Sequence, residues 1–533
     1  MAAFDYIIVG AGSAGCVLAN RLSEDPRNNV LLLEEGPKDQ SWLVRMPKGN
    51  GKTLSMPRYT AYNPTTRIQA SGREIWVRGK LLGGSSSING MVWMHGQPED
   101  YDAIAALGNA GWSWADIEPC FRKLEDHELG GGQTRGAGGP IPIRLHPPTP
   151  LGDAFIAAGA ALGLPKKDDI NGLPQEGIGY SAMNIDGEGR RCSAARAFLQ
   201  PARGRRNLSV VTGVRVDRLR FEGHRVVGVE CIRGRETITY SASGEVILSA
   251  GTIGTPRLLQ LSGVGPADHI KACGVSVVHD LPGVGANLRE HFLLMLNYRL
   301  KHAADSQNRC FSGPGLVKSL GQYILRGDGP MSNSSYCAAA FVRSGVEELR
   351  PYGQIMMAPW TRDWVTKKFG AQPGMNVFPY VLRPESQGSV RIQSADPEHT
   401  VRIDPNYLDV AQDRDQSIAL VRYVRRLMTA APIAPFLSGE MDGTAWAQTD
   451  EQIIQAFMEQ GACGFHNCGT AAMGRGPNAV LDERLRVRGL SGLRVADLSI
   501  LPNMISGNTN APAMALAWRA SDIILQDQKN SLR

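Results

Sequence analysis

The sequence predicts an α/β fold organised around a nucleotide-binding parallel sheet, and three observations carry that prediction. Residues 5–36, DYIIVGAGSAGCVLANRLSEDPRNNVLLLEEG, read as strand, Gly-rich turn, helix and strand in that order. The turn holds Gly10, Gly12 and Gly15 at the G-x-G-x-x-G spacing. An acid, Glu34, closes the second strand at the distance where a ribose is held.

Each part has its reason. Tyr6 to Val9 is short and wholly apolar, suited to a strand covered on both faces. Gly10 permits the tight turn. Gly12 lets a pyrophosphate come against the backbone beside Ser13 and Ala14, and Gly15 lets the next helix pack closely on the strand. That helix, expected over 14–23, points its positive end at the pyrophosphate. VLLLE supplies a second buried strand, and the acid at Glu34 disfavours a 2′-phosphate on the ribose. The motif alone leaves FAD and NAD open. Two other Gly-rich stretches, GVGPAD (263–268) and GVGANL (283–288), lack the third glycine and a strand–helix frame, which weakens a reductase with two nucleotide sites.

Composition bounds the rest. At 533 residues the chain exceeds one small core, so two domains or one with an insertion are expected. With 57 basic against 51 acidic residues, the charge of +6 is spread along the chain and does not point to nucleic acid. The densest basic run, ARGRRN (202–207), reads as a solvated loop. Nine cysteines without framework spacing read as reduced thiols, hence a cytoplasmic protein. The first apolar run has no basic region before it and no cleavage site after it, and no run is long enough to span a bilayer. The chain is expected to be soluble, or at most peripheral to the inner membrane.

GACGFHNCGT (461–470) raises a separate question, because it sets His466 between Cys463 and Cys468. Taken alone it is half of a metal site, a redox dithiol, a catalytic base or a structural histidine. A zinc site lacks a fourth ligand nearby, so no metal is expected.

Longer stretches resemble one family. GKLLGGSSSINGMVWMHGQPEDYD (79–102) and GTIGTPRLLQLSGVG (251–265) are similar to the two signatures of the glucose–methanol–choline (GMC) flavoprotein oxidoreductases. LRPESQGSVRIQSADPEHTVRIDPNYL (382–408) looks like that family's substrate-domain sheet, and GLRVADLSILPN (492–503) like its closing FAD strand. The resemblance implies an FAD-binding Rossmann-like domain, discontinuous in sequence, with an inserted substrate domain built on an antiparallel sheet flanked by helices. The expected FAD-binding parts are 1–150, 191–300 and 476–533, with a substrate-domain connection at 151–190 and the substrate-binding domain at 301–475. Roles follow by position. Glu34 would hold the adenosine ribose and Val216 the adenine. Gly83, Gly84, Ser85, Asn89, Gly90 and Met91 would lie against isoalloxazine and pyrophosphate. Ala250 and Gly251, Ala496–Asp497, Asn508 and Thr509 would line the rest of the cofactor. Some members attach FAD through a histidine where this chain has Ile88, so non-covalent FAD is expected.

Within the same resemblance FHNCGTAAMG matches the family's active-site stretch. His466 becomes the general base, and Asn508 in ISGNTNAPAMALAW its partner. The chemistry asks for such a pair: alcohol oxidation removes the hydroxyl proton as a hydride leaves carbon, and a neutral imidazole suits that near neutral pH. Asn508 can orient the substrate oxygen as a donor without competing for the proton. Phe465 and Asn467 are expected to line the pocket, and His291 in NLREHF is the other histidine expected to matter. Asn510 is expected to cap a carboxyl-terminal helix whose positive end faces the flavin. The implied reaction is FAD-dependent oxidation of a primary alcohol to the aldehyde, the flavin being reoxidised by a quinone-type acceptor or O2. A benzylic alcohol, polyol or polyether end is expected. Choline is the alternative, since no aromatic cage with a carboxylate can be assigned. In another class, hydroxynitrile lyases share the fold with a flavin that is not turned over.

Overall fold

The computed structural model describes residues 3–343, 349–362 and 369–531. Five parallel strands run in the spatial order Leu208–Thr212, Val30–Glu34, Phe4–Val9, Glu236–Leu248 and Leu493–Val495. They come from three distant stretches of chain and form one sheet. Ile7, Ile8, Leu32 and Val246 are fully buried, as expected of parallel strands covered on both faces. The first part of Glu236–Leu248 continues instead into an antiparallel meander with Arg225–Arg233 and Arg215–Glu222. The helices Ser13–Leu22 and Asn510–Ser531 pack on each other. Small buried residues on both, Ala14, Ala19, Ala511 and Ala515, allow the close approach. The first helix begins one residue before the expected 14–23 span.

A second sheet of nine strands is almost wholly antiparallel. Its main order is Leu437–Glu440, Leu296–Leu300, Gly374–Val381, Gly353–Ala358, Ala338–Val342, Gly177–Tyr180 and Lys166–Lys167. Every residue of Gly374–Val381 is buried. The helix Ala411–Thr429 packs on this strand and its neighbour, turning Leu420, Val424 and Leu427 into the core. The α/β fold class is the one the sequence predicts.

One expectation is corrected. The stretch 382–408 does not join the nine-stranded sheet. Its strands, Ser389–Arg391 and Arg402–Asp404, form a small separate sheet with the hairpin Thr60–Gln69 and Gly72–Gly79. Pro384, Pro397 and Pro405 leave these strands only three residues each, too short to cross the large sheet.

Candidate active site

The Gly-rich turn is built as its spacing requires. Gly10 has φ +100°, and a Cβ there would stand 2.6 Å from the Ser249 carbonyl oxygen. Gly12 differs, since the nearest atom to a Cβ there would be 4.0 Å away, which leaves its face open to a phosphate. The loop Gly83–Ser85 closes on this turn: Gly83 N–H donates to the Ala11 carbonyl at 2.8 Å. The amino ends of two helices also meet here. Ser13 Oγ donates to Asn510 Oδ1 at 2.8 Å, and Asn510 Nδ2 is buried with no hydrogen-bond partner among the described residues. Two positive helix ends and an unpaired donor fit the pyrophosphate of FAD. Asn510 is therefore inside the first turn of its helix and not its cap, a correction that follows from Ser13 holding its side chain.

Glu34 is turned inward. Its carboxylate accepts Ala11 N–H at 3.0 Å and Gly36 N–H at 2.9 Å, and burial pushes its pKa up to about 7. Past it, at the carboxyl ends of Val30–Glu34 and Leu208–Thr212, opens a cavity of about 590 Å³ walled by Glu35, Pro37, Arg58, Tyr59, Thr212 and Gly213. Carboxyl ends of parallel strands are where such sheets take ligands. Neither Glu34 nor Val216 lines this cavity, because the two N–H groups hold Glu34 back and Val216 packs in the core.

Other expected cofactor residues are held by the protein itself. Ser85 Oγ accepts Gly79 N–H, and Asn89 Oδ1 accepts Met91 N–H at 3.0 Å and Arg191 Nη1 at 2.6 Å. Met91 takes φ +61° just after Gly90. Asp497 accepts Gly251 N–H at 2.9 Å and Thr255 Oγ1 at 2.6 Å, capping the helix that follows Ala250. Thr509 is buried beside Asn508. Ile88 packs in a small core with Val44, Tyr59 and Leu81.

The histidine site is assembled by strand pairing. Phe292–Leu293 pairs antiparallel with Ala462–Cys463, and Leu293 lies opposite Tyr380. His291 and His466, 175 positions apart, are thereby brought ring to ring, their Nδ1 atoms 2.9 Å apart. Gly464 is required between them, since a Cβ there would come within 2.9 Å of His466 Nδ1.

The protonation pattern follows from one atom that can only accept. His291 Nε2 lies 2.7 Å from the Leu382 carbonyl oxygen, so that nitrogen carries hydrogen. Burial drives the His291 pKa down to about 4 and holds that of His466 well below 6.5. Both rings are therefore neutral at pH 7. His291 Nδ1 must then accept, and His466 Nδ1–H must donate to it. That leaves His466 Nε2 with its lone pair, 2.9 Å from Asn508 Nδ2. The amide of Asn508 is oriented in turn: Gln354 Nε2 donates to Asn508 Oδ1 at 3.3 Å, and Tyr380 Oη donates to Gln354 Oε1 at 2.6 Å. Five hydrogen bonds thus run in one direction, from Tyr380 through Gln354, Asn508, His466 and His291 to the carbonyl of Leu382.

Glu290 anchors both histidine loops. It accepts the backbone N–H of His466 at 2.7 Å and of His291 at 2.9 Å, together with Asn467 Nδ2 at 3.2 Å. Burial raises its pKa to about 8. Arg78 donates to the Phe465 carbonyl at 2.9 Å, where Phe465 has φ +62° and a ring 41% exposed. Asn467 does not line a pocket. It is fully buried, and its amide is engaged by Thr252 and Glu290. Cys463 and Cys468 are free, buried and packed in different apolar clusters.

Sequence reasoning named His466 and Asn508 and singled out His291, and the structure brings the three together. It missed Glu290, Gln354 and Tyr380. The available signal was a polar side chain inside an apolar strand, as in GQIMMA and GMNVFPYV.

Comparison with known proteins places the chain in a family. Family models of GMC oxidoreductases match residues 4–293 and 384–517. An alcohol dehydrogenase [acceptor] of Pseudomonas putida is 38% identical over 98% of this chain and 96% of its own. The mitochondrial choline dehydrogenase of Homo sapiens is 38% identical over 98% and 89%. The crystal structure of pyridoxine 4-oxidase from Mesorbium loti superposes with a TM-score of 0.88 at 31% identity, covering 98% of this chain and 99% of that one.

Proposed function

This chain belongs to the GMC oxidoreductase family, FAD-dependent enzymes acting on CH–OH groups, and from that premise we propose that it oxidises a primary alcohol to the aldehyde with His466 as the base. The observation that carries this assignment is the one-way hydrogen-bond chain, which leaves His466 Nε2 as an acceptor facing Asn508. Asn508 Nδ2 has a second hydrogen to offer. An entering alcohol takes the place of Asn508 N–H at Nε2: its oxygen accepts an Asn508 N–H, and its own proton passes to the freed lone pair of His466 Nε2. His291 keeps the base in the required tautomer, and Gln354 keeps the Asn508 amide from turning over. FAD, when bound at the Gly10–Gly15 turn, supplies the two-electron acceptor for the carbinol carbon.

The substrate class is inferred from the rings beside His466. Phe378 and Tyr380 project from one face of the strand Gly374–Val381, with Tyr336 5.3 Å from Phe378 and Trp360 at 6.2 Å. The aromatic character of this face suits a neutral benzylic alcohol or polyether end. A quinone-type acceptor is supported by the likeness to an acceptor-dependent alcohol dehydrogenase. Choline remains the second reading on the strength of its 38% identical relative. The test is an anaerobic panel of benzyl alcohol, a short polyethylene glycol, a sugar alcohol and choline, followed by loss of the visible flavin absorbance. Fast bleaching by benzyl alcohol or the glycol supports the assignment. Bleaching by choline alone overturns the substrate class, and none with any primary alcohol overturns the reaction.

A further inference from the structure

The helix Gly313–Arg326 turns an apolar side to water. Leu316, Ser319, Leu320 and Tyr323 face inward, while Val317, Ile324 and Leu325 stand outward at 71%, 71% and 84% exposure. At about 3.6 residues per turn, Val317, Gly321, Ile324 and Leu325 fall on one stripe. The helix has no acidic residue. Lys318 flanks the stripe, Arg326 ends it, and Lys301 and Arg309 are exposed on the preceding segment. Of the acids nearby among the described residues, Glu188 pairs with Arg190, while Asp328, which accepts from Gln322 at 2.9 Å, and Asp305 keep their charge, so the basic rim rests on Lys318 and Arg326 with Lys301 and Arg309.

A row of rings leads inward from this helix. Phe311, just before it, lies 5.0 Å from Phe369, which is 6.1 Å from Trp360. Trp360 stands against Phe378, which shares a strand face with Tyr380, and Tyr380 is 5.9 Å from His466.

We propose that this face docks on an anionic phospholipid bilayer. Val317, Ile324 and Leu325 enter the boundary between headgroups and acyl chains, and Lys318 and Arg326 meet lipid phosphates. A helix with a basic rim, no acid and exposed aliphatics has the complementarity such a surface needs. A second copy of the chain fits less well, since three aliphatic side chains cover a few hundred Å², short of the roughly 800 Å² per partner of a stable interface. Docked this way, the outer end of the aromatic row, Phe311, lies on the bilayer side of the molecule. The docking does not depend on the reaction proposed above.

The FAD-loaded enzyme is sedimented with vesicles of phosphatidylcholine plus phosphatidylglycerol, and with phosphatidylcholine alone. Wild type is expected to pellet with the mixed vesicles and to be released by salt. I324E/L325E lowers the partition by about tenfold or more, and K318E/R326E lowers it by a similar factor. Both variants keep the melting temperature and the bleaching rate with a water-soluble alcohol. Wild type left in the supernatant with mixed vesicles overturns the proposal, as does I324E/L325E pelleting like wild type. A concentration-dependent dimer that I324E/L325E dissociates, without vesicle binding, assigns the face to a second copy instead. Equal binding to both vesicle types overturns the role given to Lys318 and Arg326.

Discussion

Replacing His291 tests the polarity of the hydrogen-bond chain. His291→Phe keeps a ring of similar size against Tyr380, now 4.7 Å away, but removes the acceptor of His466 Nδ1–H. A buried donor left without a partner costs about 1–3 kcal/mol. His466 can escape that cost only by moving its proton to Nε2. There it would face the N–H of Asn508, and Asn508 cannot turn over without breaking its bond to Gln354. Either route raises the barrier to proton removal. The expected loss is about 5- to 150-fold in the rate at which an alcohol bleaches the flavin under anaerobic, single-turnover conditions. His291→Asn is the control that a merely structural role would not distinguish. Its Oδ1 falls near the position of the imidazole Nδ1 and can accept the same hydrogen bond, so most of the rate should return. It loses only the contact with the Leu382 carbonyl, about 1 kcal/mol of stability. If the Phe variant bleaches as fast as wild type, or the Asn variant is as slow as Phe, the tautomer argument is wrong.

Other consequences are checked more simply. Because burial lowers the His466 pKa, the base is already deprotonated at pH 6.5, so kcat/KM should be flat downward from neutrality through that pH, falling only in more acid solution. A limb centred at 6.5 or above would contradict this. Glu290 is raised, from 4.5 to about 8, so the folded state binds the extra proton between those values and stability falls as pH rises across that window. Glu290→Gln should flatten the thermal-melting profile there while keeping the fold, since Asn467 can turn its amide to match. Glu290→Ala strands three buried N–H donors, and a melting temperature close to wild type would refute the anchoring role. Acid precipitation should leave a yellow supernatant, because Ile88 offers no nucleophile to FAD. Colour retained in the washed pellet would show a covalent link.

What could be read before folding depended on how local the determinant is. The nucleotide turn is contained in 32 residues, and three glycines with distinct steric tasks make it legible. The direction of the Glu34 carboxylate was not, because it is set by N–H groups at Ala11 and Gly36 and the reading considered only the strand end. His466 and Asn508 were visible in short motifs. Their meeting with His291, Gln354 and Tyr380 comes from strand pairings that join positions 26, 87 and 171 residues apart, Gln354 with Tyr380, Leu293 with Tyr380 and Phe292 with Cys463, which no local pattern encodes. The start of the carboxyl-terminal helix was placed to within a residue, yet its cap was misassigned, since Ser13 claims Asn510 across nearly the whole chain.

The most direct measurement compares His466→Ala with wild type, both loaded with FAD and mixed anaerobically with the fastest alcohol of the panel. The account predicts bleaching slowed by about 100- to 10,000-fold in the variant, the range lost with a general base, while the flavin spectrum stays that of the bound cofactor. Equal rates in the two proteins would remove His466 from the chemistry and with it the central claim.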